Sequence, residues 1–394
     1  MSAQKFSKPD YDTVCLIERE NLLRRFLPYS VGSPKECYTH DDQYERANLV
    51  VFTDSHIDFV NPEESLDNAK RAIEFANTCP VKIDAMVHTG DVITPFGVHT
   101  KEASMERAEM FFSIARQSDV PLVFSKGNHD LNDWDNYPEN VFTDADWSKI
   151  YLDFAENNFG VVRQLKKNGE KSTWHYLDIE DKKIRIISVD VQDTDKVSVN
   201  EKGTVKYYGA LSIYITEEQM MWIANTALDF SDKPEKDWGV IFAFHQTSHN
   251  DPGCQNAVDE LIHLCAAFNK QEKYEKKFIC EENSFFNWDI KADFSYYNKF
   301  EEKPHIICFT VGHCHIDSHE IREGINIIYS IQGACTTVAS DARYARIPGT
   351  CVQNSFSIFN IDTKKRKIRI FRYGAGVTCY GIGGDRFLPD GLDY

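Results

Sequence analysis

The stretch HIICFTVGHCHID, His305 to Asp317, starts as an apolar run and ends, past a glycine, in two histidines that bracket a cysteine. A short apolar run with an Asp or His at or just beyond its end reads as a buried strand. The same plan recurs in NLVVFTD (48–54), KIDAMVHTGD (82–91), VPLVFSKGNHD (120–130), KIRIISVD (183–190) and WGVIFAFH (238–245). Between these runs the apolar period lengthens to that of a helix in SLDNAKRAIEFANT (65–78), ASMERAEMFFSIARQ (103–117) and TEEQMMWIANTAL (216–228), where Thr216 and Gln219 have capping-box spacing. Strands alternating with helices predict an α/β layered fold whose strand ends share one site-bearing edge.

The flanks and intervals read differently. Residues 1–46 are polar and mixed, and predict a lead-in segment packed on the domain. Two intervals, about 131–172 and 246–304, follow strand-end polar residues and are placed to wall a site. The second holds a helical pattern, NAVDELIHLCAAFN. Their aromatics serve either packing or the stacking of a nucleoside base, with packing the simpler reading. SFSIFNID and KIRIFRY predict closing strands, and the basic run at Lys364–Lys367 between them predicts a hairpin turn. Residues 47–375 then form the main domain and 376–394 a tail.

With 61 acidic and 44 basic residues, the formal charge is −17. Such a field repels polyanions, which disfavours nucleic acid as a partner. The start of the chain lacks the basic and apolar regions of a secretory signal, and no apolar run reaches membrane-spanning length. Eleven scattered cysteines without a C-x-x-C pattern argue against a disulfide framework, so the expectation is a reduced, cytoplasmic protein without a membrane partner.

Gathered from the strand ends, the polar residues are Asp54, His56, Asp91, Asn128, His129, His245, His313 and His315. These are oxygen and imidazole donors, a set suited to hard or borderline divalent metals. In an extended chain, residues two apart share a side, so Asp54 with His56, and His313 with His315, can face one metal. Cys314 then points away and is expected to be a small buried apolar residue. Gly90, Gly127 and Gly312 each precede a donor and allow close backbone approach. Any one element alone is more often a turn or a hydrogen-bonded structural residue than a ligand; five in order, each after a strand, point to a site.

Together TDSHI, TGDV, KGNHD, FHQ and GHCH resemble the calcineurin-like metallophosphoesterase family, whose pattern is D-x-H, G-D, G-N-H-D/E, H and G-H-x-H. The resemblance spans about residues 47–320 and implies a four-layer αββα sandwich. It implies two divalent metal ions (manganese, iron, zinc, nickel or cobalt) sharing Asp91, one completed by Asp54, His56 and His315 and the other by Asn128, His245 and His313. A hydroxide between them would attack the phosphorus of a phosphomonoester or phosphodiester. His129 would sit over the phosphate, stabilising charge or protonating the leaving oxygen, and Asp130 would orient its imidazole.

The charge favours a small soluble phosphorylated substrate, such as a nucleotide or cyclic nucleotide, over a nuclease reaction. The competing class is a non-catalytic metal-binding scaffold or phage-associated interaction protein. His88 reads as a structural neighbour of the ligands, Asp190 as a turn-capping carboxylate, His263 as structural, and His99, His249 and His319 as surface residues, with lining of the pocket the alternative.

Overall fold

Fifteen strands and seven α-helices are seen in a computed structural model, which describes residues 8–30, 46–57, 62–94, 100–133, 137–196, 198–207, 209, 213–247, 256–333, 346–350, 352–376 and 391–394. His99 and His249 lie outside these residues. In chain order the strands are β1 (Arg46–Phe52), β2 (Ala85–His88), β3 (Leu122–Phe124), β4 (Val162–Leu165), β5 (Lys171–Ile179), β6 (Ile184–Ser188), β7 (Gly239–Ala243), β8 (Lys273–Phe278), β9 (Trp288–Asp293), β10 (His305–Val311), β11 (Ser318–Arg322), β12 (Ile325–Tyr329), β13 (Ser355–Asp362), β14 (Lys367–Gly374) and β15 (Leu392–Asp393). One sheet has the order β15-β14-β13-β1-β2-β3 and the other β11-β12-β10-β7-β6-β5-β4, while β8 and β9 pair as a separate hairpin. Within them β1, β2 and β3 are parallel, as are β6, β7, β10 and β12. Each expected strand is present.

Residue alternation explains the layering. Ile184, Ile186, Ile241 and Ala243 join the core that also holds β1–β3, α1 (Lys8–Ser30), α2 (Pro62–Thr78) and α3 (Lys101–Ala115). Their neighbours Ile187, Val240 and Phe242 enter a second core under α6 (Glu217–Trp222) and α7 (Ala257–Lys270). Because β6, β7, β10 and β12 are buried on both faces, these inner strands of the second sheet read as continuous apolar runs. The result is the expected α/β sandwich of two sheets between helices.

Three local expectations are modified. The lead-in segment contains a 23-residue helix, α1, seated through Leu22, Leu23 and Phe26. Its burial is confined to a few positions, so its sequence carries no clear helical stripe. Thr216 caps α6 by accepting the Gln219 N–H at 3.3 Å, but the Gln219 amide does not close a capping box; it bonds the backbone of Asp190 on both sides. The described parts of the two intervals mainly feed the cores. Phe142, Trp147 and Tyr151, near α4 (Asp144–Trp147) and α5 (Asp153–Phe159), join the first, and Trp288, Phe294 and Tyr297 join the second. Residues 162–165 and 171–179 extend the second sheet. The basic run is a turn over residues 363–366, as its spacing predicts.

Candidate metal centre

The donors stand at the carboxyl ends of five parallel strands: Asp54 and His56 after β1, Asp91 after β2, Asn128 after β3, His245 after β7, and His313 and His315 after β10. The first two loops run side by side beyond the sheet. The N–H groups of Asp54, His56 and Ile57 donate to the carbonyls of Gly90, Asp91 and Val92 at 2.9, 3.0 and 2.7 Å.

The backbone there is not extended, which corrects the alternation argument. Asp54, His56, Asp91, His313 and His315 have φ of 50°, 43°, 57°, 67° and 54°, in the left-handed region. Asp and His tolerate this region better than most residues, and such strain gathers at functional sites. The strands have already ended at Phe52 and Val311, so the donors are aimed by left-handed turns. Cys314 is consequently exposed rather than buried in an apolar layer.

Two clusters result. In one, Asp54, His56, Asp91 and His315 bring their donor atoms within 4.8 Å of one another; in the other, Asp91, His245 and His313 do the same. Asp91 belongs to both. His315 Nε2 is 3.1 Å from Asp54 Oδ1, and His245 Nε2 is 3.1 Å from Asp91 Oδ2. Asn128 Oδ1 lies 3.0 Å from His313 Nδ1, which joins it to the second cluster. Asp54 and Asp91 are 0% and 1% exposed, so their charges need compensation.

The donor set fits cations. Asp54 Oδ1 and His245 Nε2 are buried and make no well-aligned hydrogen bond, although both point into the clusters. The remaining ring nitrogen of His245 donates to the Thr89 carbonyl at 2.8 Å, which leaves Nε2 as the lone-pair donor. Close packing is built in: a Cβ on Gly127 would fall 2.2 Å from Asp91 Oδ1, and one on Gly312 would fall 2.6 Å from Asp54 Oδ2. Burial works against ionisation of Asp54, but His315 and His56 hold its carboxyl well below the ordinary range. Burial likewise opposes charge on His245, yet Asp91 and Asp54 push it up to about 9.

His129 lies beside the clusters, with Nε2 3.7 Å from Asp91 Oδ2 and its ring edge-on to His56. Burial pushes its pKa down to about 4. Asp130 does a different job from the one expected. Its Oδ2 accepts the N–H groups of Asp91 and Gly127 at 2.8 Å each, and its Oδ1 accepts those of Val92 and Ile93 at 2.8 and 3.2 Å. The carboxylate beside the His129 imidazole is Asp91, while Asp130 ties two ligand loops together through their backbones. Burial and the neighbouring Asp91 push Asp130 up to about 7.

His88 is buried and structural, with Nε2 2.8 Å from Ser55 Oγ, and burial pushes it down to about 3. His319 pairs with Asn326 at 2.9 Å. His263 sits exposed on α7, 3.6 Å from Glu260. Asp190 caps a turn by accepting the Gln192 N–H at 3.0 Å, but its other oxygen meets Lys126. Lys126 and Asp317 lie inside the quoted motifs but outside the donor pattern; a charged residue at the buried end of an apolar run is the signal that marks them.

Among solved structures, the chain is similar to a phosphopantetheinyl hydrolase from Mycobacterium tuberculosis, at 12% identity over 73% of this chain and 90% of that one, with a TM-score of 0.33. It is similar to a putative 5′-nucleotidase from Staphylococcus aureus at 12% identity, over 86% of this chain and 56% of that one (TM-score 0.38). A predicted phosphoesterase from Streptococcus pneumoniae is 9% identical over 84% and 90% (TM-score 0.27). No curated protein matches the chain. A family model described as calcineurin-like phosphoesterase matches residues 47–316, a span that contains all seven candidate ligands together with His129. The chain therefore belongs to the calcineurin-like phosphoesterase family.

Proposed function

We propose that this protein hydrolyses a phosphomonoester or phosphodiester of a small soluble molecule, a nucleotide or cyclic nucleotide being the favoured class, at a centre of two divalent metal ions. The observation that carries the proposal is the pair of donor clusters meeting at Asp91. Asp54, His56, Asp91 and His315 would hold one cation, and Asp91, Asn128, His245 and His313 the other. When bound, two such cations neutralise phosphoryl oxygens and lower the pKa of water toward neutrality.

The chain's own residues supply position and exclusion. Asp130 fixes the loops of Asp91 and Asn128 through four amides, so the ligands need little rearrangement on binding. His129, neutral because it is buried, offers a ring N–H toward a phosphoryl oxygen held beside Asp91. The charge of −17 weighs against a polymeric anion and leaves attraction of the substrate to the metal centre.

The test is turnover of mono- and bis-(p-nitrophenyl) phosphate with added Mn²⁺, followed by a panel of nucleotides, cyclic nucleotides and single-stranded DNA across several metals. Hydrolysis of small esters with DNA left intact is the expected outcome. Metal binding without turnover of any ester would support the scaffold reading, and preferential DNA cleavage the nuclease reading.

A further inference from the structure

Two buried ion pairs cross between the sheets, and each begins beside a candidate ligand loop. Lys126 directly precedes Gly127 and Asn128 at the end of β3, in the first sheet. Its Nζ lies 2.5 Å from Oδ2 of Asp190, which follows β6 in the second sheet; the side chains are 1% and 2% exposed. Asp317 lies two residues past His315, after β10 in the second sheet. Its Oδ1 is 2.5 Å from Nη2 of Arg372 on β14 in the first sheet, with side chains 3% and 5% exposed. The straps are reciprocal: each sheet sends one charge from its ligand loop to the other.

Both acceptors are held by further hydrogen bonds, made to the same carboxylate oxygens that meet the cations. Asp190 accepts the Thr173 hydroxyl at 2.7 Å, and its backbone N–H and carbonyl are clamped by the Gln219 amide at 2.9 Å each. Asp317 also accepts the Ile331 N–H at 2.8 Å. Arg372 donates to Ser355 Oγ at 2.8 Å, and the Ser355 N–H bonds the Gly333 carbonyl at 3.1 Å. The Gly333 N–H donates to the Thr53 carbonyl at 2.7 Å, and the Thr53 hydroxyl to Asp54 Oδ2 at 2.7 Å. This second strap thus reaches the first ligand of the other sheet.

In sheet order β3 and β14 lie on opposite sides of β1 and β2, so the straps bracket the donors between them. Buried ion pairs contribute little net stability, because desolvation offsets their attraction; their best-attested use is to fix a register. We infer that Lys126–Asp190 and Asp317–Arg372 are positioning pairs that set the separation of the two ligand-bearing sheet edges, and thereby the distance between two bound cations. The inference rests on the two-metal reading above.

The experiment uses Mn²⁺ as the probe, in the full chain, loaded to two equivalents and read by electron paramagnetic resonance and by competition with a metal-binding dye. Wild type should give an exchange-coupled dimanganese signal. Lys126→Met and Arg372→Met should shift it toward the uncoupled six-line signal and weaken the second Mn²⁺ at least tenfold, with partial return in Lys126→Arg and Arg372→Lys. The control is Asp362→Asn, which breaks the buried Arg46–Asp362 pair at the opposite end of β1. It should reduce thermal stability while keeping the coupled signal, a separation that a purely structural role would not produce. Should a methionine variant fail to fold, the conservative variants carry the test through a changed coupling. Unchanged coupling and affinity in folded strap variants would overturn the positioning role. Absence of two-metal binding in wild type would instead overturn the reading on which it rests.

Discussion

His56 Nε2 and His315 Nε2 lie 3.0 Å apart although their residues come from different sheets, and Asp54 Oδ1 is 3.1 Å from the second of them. Three donor atoms crowding one point, two of them imidazole nitrogens, form an arrangement that a cation satisfies and a proton satisfies only in part. His245 and Asp91 make the corresponding approach in the other cluster.

Sharing of Asp91 is tested by comparing Asp91→Asn with His56→Ala. The first should lower occupancy of both cations by tenfold or more at limiting Mn²⁺, and the second chiefly that of one, read by elemental analysis after gel filtration. Full and equal loading in both variants would contradict a shared ligand.

Metal affinity should rise with pH. In the absence of cations Asp91 and Asp54 outweigh burial and hold His245 up to about 9, and His315 is raised as well, so a cation must displace a proton below that pH. The affinity then changes by about tenfold per pH unit for each proton displaced. Dye competition between pH 6.5 and 8 should show Mn²⁺ binding strengthening at least tenfold, and a flat profile would contradict the assignment.

Removing the Asp130 carboxylate orphans four amides in two loops. Asp130→Ala should cost about 3–5 kcal/mol of stability, the range for breaking a buried charged interaction, and should weaken both metals together. Chemical denaturation and metal titration check the two halves; loss of activity at unchanged stability and metal affinity would return Asp130 to a role on the His129 ring.

His129→Gln separates hydrogen bonding from acid catalysis. Burial holds the ring neutral, and cations on Asp91 would disfavour its protonation further. The substitution should therefore lower kcat/KM by about 10–100-fold for an alkyl and a nitrophenyl ester alike, at matched metal occupancy. A much larger penalty for the alkyl ester would identify His129 as the general acid.

Because Cys314 is exposed, Cys314→Ser should change stability by no more than about 0.5 kcal/mol and leave metal content intact. Iodoacetamide labelling followed by peptide mapping should reach Cys314 before the buried Cys265 and Cys308.

What the sequence made legible follows from physics at two ranges. Apolar runs such as WGVIFAFH announce strands because the inner strands of the second sheet are buried on both faces, and donors at their ends could be gathered without knowing the topology. Cys314 shows where this fails: a period of two holds only while the chain is extended, and His313 and His315 are left-handed. The four amides that Asp130 accepts carry no sequence signal, so the partners of a buried carboxylate are invisible until the loops meet. For the same reason Lys126 gave no hint of Asp190, a partner set by the packing of one sheet on the other.

Neither donor cluster belongs to one sheet. Asp54, His56 and Asp91 precede residue 92, whereas His315 arrives more than two hundred residues later, and Asp91 waits similarly for His245 and His313. A chain still being synthesised therefore owns only fragments of either centre, too few donors to hold a cation firmly. Metal capture becomes a late event in the birth of the molecule, and a bound pair of ions certifies that both halves of the sandwich have been made and have met.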